Sequence, residues 1–319
     1  MNFIPYPRAD KDSHPDLAAW RIKTPKSHGN WTALKSFLND CSMIGPITQA
    51  LPKCWYSELP QGDDYALDVE HFRPKGSGDP LNAKQIKQVE KSGGITYGQD
   101  LAAGTYQWLE FDYRNYRLVT AKTNRAGAKH IYFPIATGTS RLKAGTFPWI
   151  VPEYSYFLDP TDKQDTELLY VKPNGEIAPI TPKTQLTPAD FAGIPHTWRG
   201  NGFNYLRSIV TIQLYNLNYK HFVTGRAIVY TETINAIKLI EMALIENPTS
   251  EVLRYLVDNL ITKIYPSAPF SLAARSALIA YQSNHTDPRI QASMQSTLSS
   301  ILAKVDAVVN SITVDWNKP

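Results

Sequence analysis

The chain of 319 residues is short of cysteine: Cys41 and Cys54 are the only two. That excludes a disulfide framework and a zinc-finger array. Long apolar runs are missing too. Nothing approaches the ~18 consecutive apolar residues of a membrane span, so none is expected. The start, Met1-Asn2-Phe3-Ile4-Pro5-Tyr6-Pro7-Arg8, has no apolar segment of the kind a secretion signal carries. A cytoplasmic, reducing location is the expectation, and Asn30-Trp31-Thr32 and Asn284-His285-Thr286 then read as chance sequons. A strong charge of one sign is also lacking. Lys plus Arg is 33 against 29 Asp plus Glu, a net +4, which permits a polyanionic partner without demanding one.

What is present is the material of a globular core, with 43% hydrophobic and 19% charged residues. At ~150 residues per domain, about two domains are expected, with one large domain the alternative. Residues 1–53 read as an arm followed by a helix. Asn30 is its expected N-cap, Trp31, Leu34, Phe37, Leu38 and Cys41 its apolar face, and Gly45-Pro46 its break. Residues 54–135 are dense in aromatics, with short strands expected at Ala66–Phe72 and Tyr116–Ala121 and a short helix beginning at Asn124. A polar, Gly-rich insert near Gly76–Gly104, carrying Lys84, Lys87 and Lys91, reads as a mobile loop. In residues 136–200, Leu168–Val171 and Ile177–Ile180 flank Asn174-Gly175, a hairpin-turn pair. Residues 201–319 read as all helix. The apolar stripes include Leu206, Ile209, Val210, Leu214 and Leu217, with Thr249 or Ser250 capping Val252–Ile264 and Asp287-Pro288 opening a last helix. These helices read as core and interaction surface, not chemistry.

Chemistry concentrates in Leu67-Asp68-Val69-Glu70-His71-Phe72-Arg73-Pro74-Lys75, where an acid directly precedes a histidine on an alternating strand pattern. Charge in a half-buried strand is costly and asks for a purpose. Trp108 to Leu118 and Thr123-Asn124-Arg125 follow, then Lys129-His130. Together they suit a one-metal hydrolytic site. A carboxylate and an amide oxygen would hold a hard ion such as Mg²⁺, a histidine would take a proton from water, and Arg73 and Lys75 would meet phosphates. Asp68 reads as a second acid or a solvated strand residue, and His130 as an alternative to Asn124.

The blocks Cys54-Trp55-Tyr56-Ser57-Glu58, Asp68-Val69-Glu70-His71-Phe72-Arg73-Pro74-Lys75, Trp108-Leu109-Glu110-Phe111-Asp112-Tyr113-Arg114-Asn115-Tyr116-Arg117-Leu118 and Asn124-Arg125 to Phe133-Pro134 resemble an HNH endonuclease. More narrowly, they resemble the HNH proteins paired with an ABC-type ATPase in Septu anti-phage systems and some retron-linked systems. The likeness runs over about residues 30–230, through Leu158-Asp159-Pro160, Asn174-Gly175-Glu176-Ile177, Leu217-Asn218 and Arg226. It implies an α+β chain with a ββα-metal (HNH) nuclease core at 54–135, between the N-terminal helical segment and a C-terminal all-helical region.

The resemblance also implies roles. Glu70 and Asn124 would be ligands of one Mg²⁺ or Mn²⁺, His71 the general base, Asn115 the brace of the inter-strand loop, and Lys129 a phosphate contact beside Arg73 and Lys75. It implies cleavage of nucleic acid, DNA favoured and RNA possible, under an ATPase partner and without a membrane. The alternatives are an RNase effector and a catalytically inactive binding subunit. Relatives often hold a structural zinc with two Cys-x-x-Cys pairs. Here these are Cys54-x-x-Ser57 and Thr120-x-x-Thr123, so no structural zinc is expected, and Trp55, Tyr56, Trp108 and Tyr116 would supply the stabilisation.

Overall fold

The computed structural model describes residues 1, 4, 14–23, 33–44, 51–62, 66–98, 100–125, 127–144, 153–191, 200–284 and 291–311. The expected features at Asn30, Trp31, Gly45-Pro46 and Asp287-Pro288 lie outside them. The architecture is α+β, with small two-stranded sheets and a helical C-terminal region. In order come α1 (Pro15–Ile22), α2 (Lys35–Ser42), β1 (Leu67–His71), β2 (Ser77–Gly78), α3 (Ala83–Gly93), β3 (Gly104–Thr105), β4 (Tyr116–Thr120) and α4 (Ala121–Asn124). Then follow α5 (Lys163–Thr166), β5 (Leu169–Val171), β6 (Ile177–Pro179), α6 (Pro188–Phe191), α7 (Asn201–Leu214), α8 (Lys220–Glu246), α9 (Glu251–Ile264), α10 (Ser271–Asn284) and α11 (Gln291–Asn310).

β1 and β4 form the antiparallel pair that carries the candidate site residues, in a register running from Leu67 opposite Thr120 to His71 opposite Tyr116. Alternation along β1 turns Leu67, Val69 and His71 inward and leaves Asp68 and Glu70 only partly exposed. β4 is buried throughout. The two N-terminal helices close over this pair. Trp20 of α1 packs edge-on against Tyr116 at 6.1 Å between ring centres, and Phe37 of α2 packs likewise on Tyr113 at 6.1 Å. Backbone of the 54–57 turn adds to the same core, since the Trp55 amide donates to the Leu118 carbonyl (2.8 Å).

The insert is not a loop. Ala83–Gly93 forms α3, opened by a capping box in which Asn82 accepts from the Gln85 amide and Gln85 accepts from the Asn82 amide. It closes on Gly94 in the left-handed region at φ 59°. Val89 is buried and Ile86 half-buried against the main core, where α3 meets α7. The Asn82/Gln85 pair and the spacing of Ile86, Val89 and Gly93 encode this helix, within a segment whose glycine content is that of a loop.

The hairpin expected at Asn174-Gly175 is present as β5 and β6. Gly175 takes φ 85°, and a Cβ there would meet the Val223 carbonyl oxygen of α8 at 2.0 Å, so the turn needs glycine for conformation and for space. Arg226 of α8 is buried and donates to the Gly175 carbonyl (2.7 Å), bracing the hairpin. Ser250 caps α9 by accepting from the Leu253 amide (3.1 Å). Helices α8 to α11 enclose a second core around Ile237, Ile240, Leu260, Leu278 and Leu298. Among the described residues, no helix is long and apolar enough to cross a membrane.

Candidate functional site

His71 ends β1 with its ring mostly buried. Its Nε2 lies 2.8 Å from the Glu110 carbonyl oxygen, and the Tyr116 hydroxyl donates to that same oxygen at 2.8 Å. A carbonyl only accepts, so Nε2 carries the hydrogen and the lone pair of the neutral ring is on Nδ1. Burial is the largest influence on the ring and, with Lys129 and Lys75 nearby, lowers its pKa to about 4 despite the Glu110 hydrogen bond. The imidazole is therefore neutral near pH 7, the form a general base needs. Tyr116 packs edge-on against it with ring centres 5.0 Å apart.

Asn115 is buried in the turn before β4. Its Oδ1 accepts from the Arg73 amide and its Nδ2 donates to the Arg73 carbonyl, both at 2.8 Å. This closes the segment after His71 onto the segment before Tyr116, with the Phe72 amide bonded to the Asn115 carbonyl (2.8 Å) alongside.

Glu70 is met by Lys129. The Lys129 ammonium is fully buried, touches Glu70 Oε1 and donates to the His71 carbonyl at 2.6 Å. Burial pushes the Glu70 carboxyl up and the Lys129 ammonium down, and each partner opposes the other's shift. Lys129 thus does not face outward to phosphate, as the resemblance implied. It is the internal counter-charge of Glu70. Arg73 is likewise turned inward, donating from Nε to the buried Glu153 carboxylate at 2.6 Å, which also accepts from the Tyr106 hydroxyl (2.7 Å) and the Leu142 amide (2.8 Å). Lys75 is part-exposed and pairs with Glu110, its Nζ 3.7 Å from Oε1.

Asn124 is the last residue of α4, not the first of a helix. It is half-buried, and its side-chain amide has no hydrogen-bond partner among the described residues. Its carbonyl accepts from the His130 amide (2.7 Å), and the residue before His130, Lys129, holds Glu70, so this short stretch links α4 to β1. Arg125 adds a solvent-facing pair to Asp68 at 3.2 Å, which makes Asp68 an ion-pair partner instead of a free acid. His130 is exposed at φ 45°.

Among the described residues, no three His, Cys, Asp or Glu side chains converge as a metal cage. Glu70 keeps one carboxylate oxygen that Lys129 does not take, and the Asn124 amide has no partner among the described residues. Oxygen donors of this kind suit a hard divalent ion that keeps most of its waters, and not zinc.

The four positions that correspond to the Cys-x-x-Cys pairs of the resembling family, Cys54, Ser57, Thr120 and Thr123, are all buried. Cys54 Sγ is 3.7 Å from Thr123 Oγ1, Thr123 Oγ1 is 3.3 Å from Thr120 Oγ1, and the Ser57 amide donates to Cys54 Sγ at 3.4 Å. A thiol and hydroxyls join the 54–57 turn to the junction of β4 and α4. Trp55, Tyr56 and Tyr116 are fully buried around it, while Trp108 is part-exposed.

Several partners escaped the sequence reading. Glu110 acts through its carbonyl, which no side-chain pattern encodes. Glu153 and Asp159 receive Arg73 and Arg117. Burial raises the Asp159 carboxyl, but the bidentate Arg117 guanidinium and Thr161 outweigh it and hold the pKa low. Asp159 and Arg117 both fall within the blocks quoted above, and opposite charges there were the available signal.

Comparison with family models, with curated proteins and with solved structures finds no match.

Proposed function

We propose that this chain is a metal-dependent endonuclease of the HNH type that hydrolyses phosphodiester bonds, DNA favoured, in an anti-phage system under an ABC-type ATPase partner. The supporting observation is the His71 ring: neutral, fixed through Nε2 on the Glu110 carbonyl, and set beside Glu70 on a strand whose end Asn115 clamps. In the reaction, His71 Nδ1 accepts a proton from water as the water oxygen bonds to phosphorus and the bond from phosphorus to the leaving oxygen breaks. Glu70 and Asn124 would hold a Mg²⁺ or Mn²⁺ ion, which supplies charge neutralisation at the phosphate. Asn115 and Tyr116 hold the imidazole in place, and Lys75 offers the part-exposed positive charge nearest to it.

The test is cleavage of plasmid DNA and total RNA with Mg²⁺ or Mn²⁺, in the presence and absence of the product of the neighbouring gene, which on this reading is an ABC-type ATPase. Cleavage that disappears in His71→Ala and falls in Asn124→Ala supports the reading, and the substrate consumed decides between DNase and RNase.

One observation favours a second reading, a binding subunit without catalysis: the Lys129 ammonium already neutralises Glu70. Equal protection of phage-challenged cells by wild type and His71→Ala would select it.

A further inference from the structure

Helix α3 is amphipathic in an unusual sense. Ile86, Val89 and Gly93 lie on one face, against the core and α7. At ~100° per residue, Lys84, Lys87 and Lys91 fall within about 60° of one another on the opposite face. All three are exposed, and none has an ion-pair partner among the described residues. The helix's single carboxylate, Glu90, is turned to accept from the Tyr97 amide (3.0 Å). A like-charged row without counter-charges costs self-repulsion that a solvated surface does not otherwise need.

Helix α3 is anchored at both ends, one of them linked to the candidate site. Gln88 bonds Gln213 (2.9 Å) and the Gly93 carbonyl accepts from the Tyr205 hydroxyl (2.9 Å), fixing α3 on α7. At the other end, Asn82 donates to the Tyr132 hydroxyl (2.9 Å). Asp79 pairs with the 131–133 backbone through the Ile131 carbonyl (3.2 Å) and the Phe133 amide (2.9 Å). The Tyr132 amide in turn donates to the carbonyl of Lys129 (3.0 Å), the residue that holds Glu70. The lysine row therefore begins beside the strand-and-helix unit that carries His71.

We propose that the Lys84, Lys87 and Lys91 face of α3 is a nucleic-acid backbone contact that extends the candidate site; this rests on the endonuclease reading above. From Lys84 to Lys91 the helix rises about 10 Å, which matches about three nucleotides at ~3.4 Å each along a duplex strand. The contact carries no base information and sets affinity and register.

The experiment measures binding of a fluorescent duplex by anisotropy across a salt series, in a His71→Ala background so that the probe stays intact. It compares that protein with Lys84→Gln/Lys87→Gln/Lys91→Gln and with a charge-matched control, Lys238→Gln/Arg254→Gln/Lys304→Gln, on exposed positions of α8, α9 and α11. Expected is about tenfold or more weaker binding by the α3 variant, with a salt slope shallower by about 2 to 3, and no change in the control. Circular dichroism and an unchanged melting temperature establish that α3 is intact.

Equal affinity and slope for the α3 variant, or an equal loss in the control, overturns the proposal while leaving the endonuclease reading standing. Absence of both binding and cleavage by the unmutated chain with its partner overturns both. Binding to phosphatidylserine vesicles but not to nucleic acid assigns the face to a membrane and also overturns the proposal.

Discussion

The side chain of Asn115 clamps both backbone polar groups of Arg73, accepting from its amide and donating to its carbonyl at 2.8 Å each. Two hydrogen bonds across 42 residues of chain make the His71 end of β1 and the turn into β4 one unit. Asn115→Ala leaves the Arg73 amide and carbonyl without these partners in a buried site and is expected to cost about 1–3 kcal/mol. Cleavage should fall with it, because His71 lies two residues from the clamped backbone. Urea denaturation and single-turnover cleavage on the same preparation check this, and unchanged stability would remove Asn115 from its bracing role.

Glu70 and Lys129 should behave as a coupled pair. Lys129→Met leaves the Glu70 carboxylate largely buried without its counter-charge, and Glu70→Gln leaves a buried ammonium. Each single change is expected to destabilise, and the double variant to lose less than the sum of the two, by at least about 1 kcal/mol. Chemical denaturation of all four proteins completes the cycle. Additivity would mean that the contact carries no energy.

The Cys54, Ser57, Thr120 and Thr123 positions should accept a metal when given the ligands for it. Ser57→Cys/Thr120→Cys/Thr123→Cys places four thiols where a buried thiol and hydroxyls now sit. One Zn²⁺ per chain and a raised melting temperature are expected, with Co²⁺ giving the visible absorption of tetrahedral thiolate. A stoichiometry of zero would show that the backbone at this junction does not support tetrahedral closure.

Two buried groups tie stability to pH with opposite signs. Burial raises the Asp100 carboxyl to about 6, against its bonds from the Tyr97 hydroxyl and the Leu81 amide. Folding binds that proton, so its contribution is full below about 4 and lost as pH rises through 6. The His71 ring, lowered to about 4, contributes fully above its unfolded value near 6.5 and loses this as pH falls through 4. Relative to wild type, Asp100→Asn should therefore gain stability as pH rises from 4 to 6, and His71→Asn should lose it. Melting temperatures across that range test both signs.

Much of the local structure was legible along the chain. Alternation at 67–71 fixed which side chains of β1 face inward, Asn174-Gly175 located the hairpin, and apolar stripes with Ser250 located the C-terminal helices. Each depends on residues a few positions apart, and helical or strand periodicity and cap chemistry act over that range. The insert is the exception: the Asn82/Gln85 cap and the apolar Ile86 and Val89 encode its helix locally, inside a segment whose glycine and lysine content is that of a loop.

The partners of the charged residues were decided by tertiary structure alone. Arg73 and Lys129 look alike in sequence as cations near a histidine. Folding carries Arg73 to Glu153, 80 positions away, and Lys129 back to Glu70, 59 positions away. Once a charge leaves water it must be met by whatever opposite charge the packed chain brings within reach, and sequence spacing does not encode that meeting. The same holds for the Glu110 carbonyl beneath His71: a backbone oxygen has no residue type to read, and only the closed β1–β4 pair sets it there.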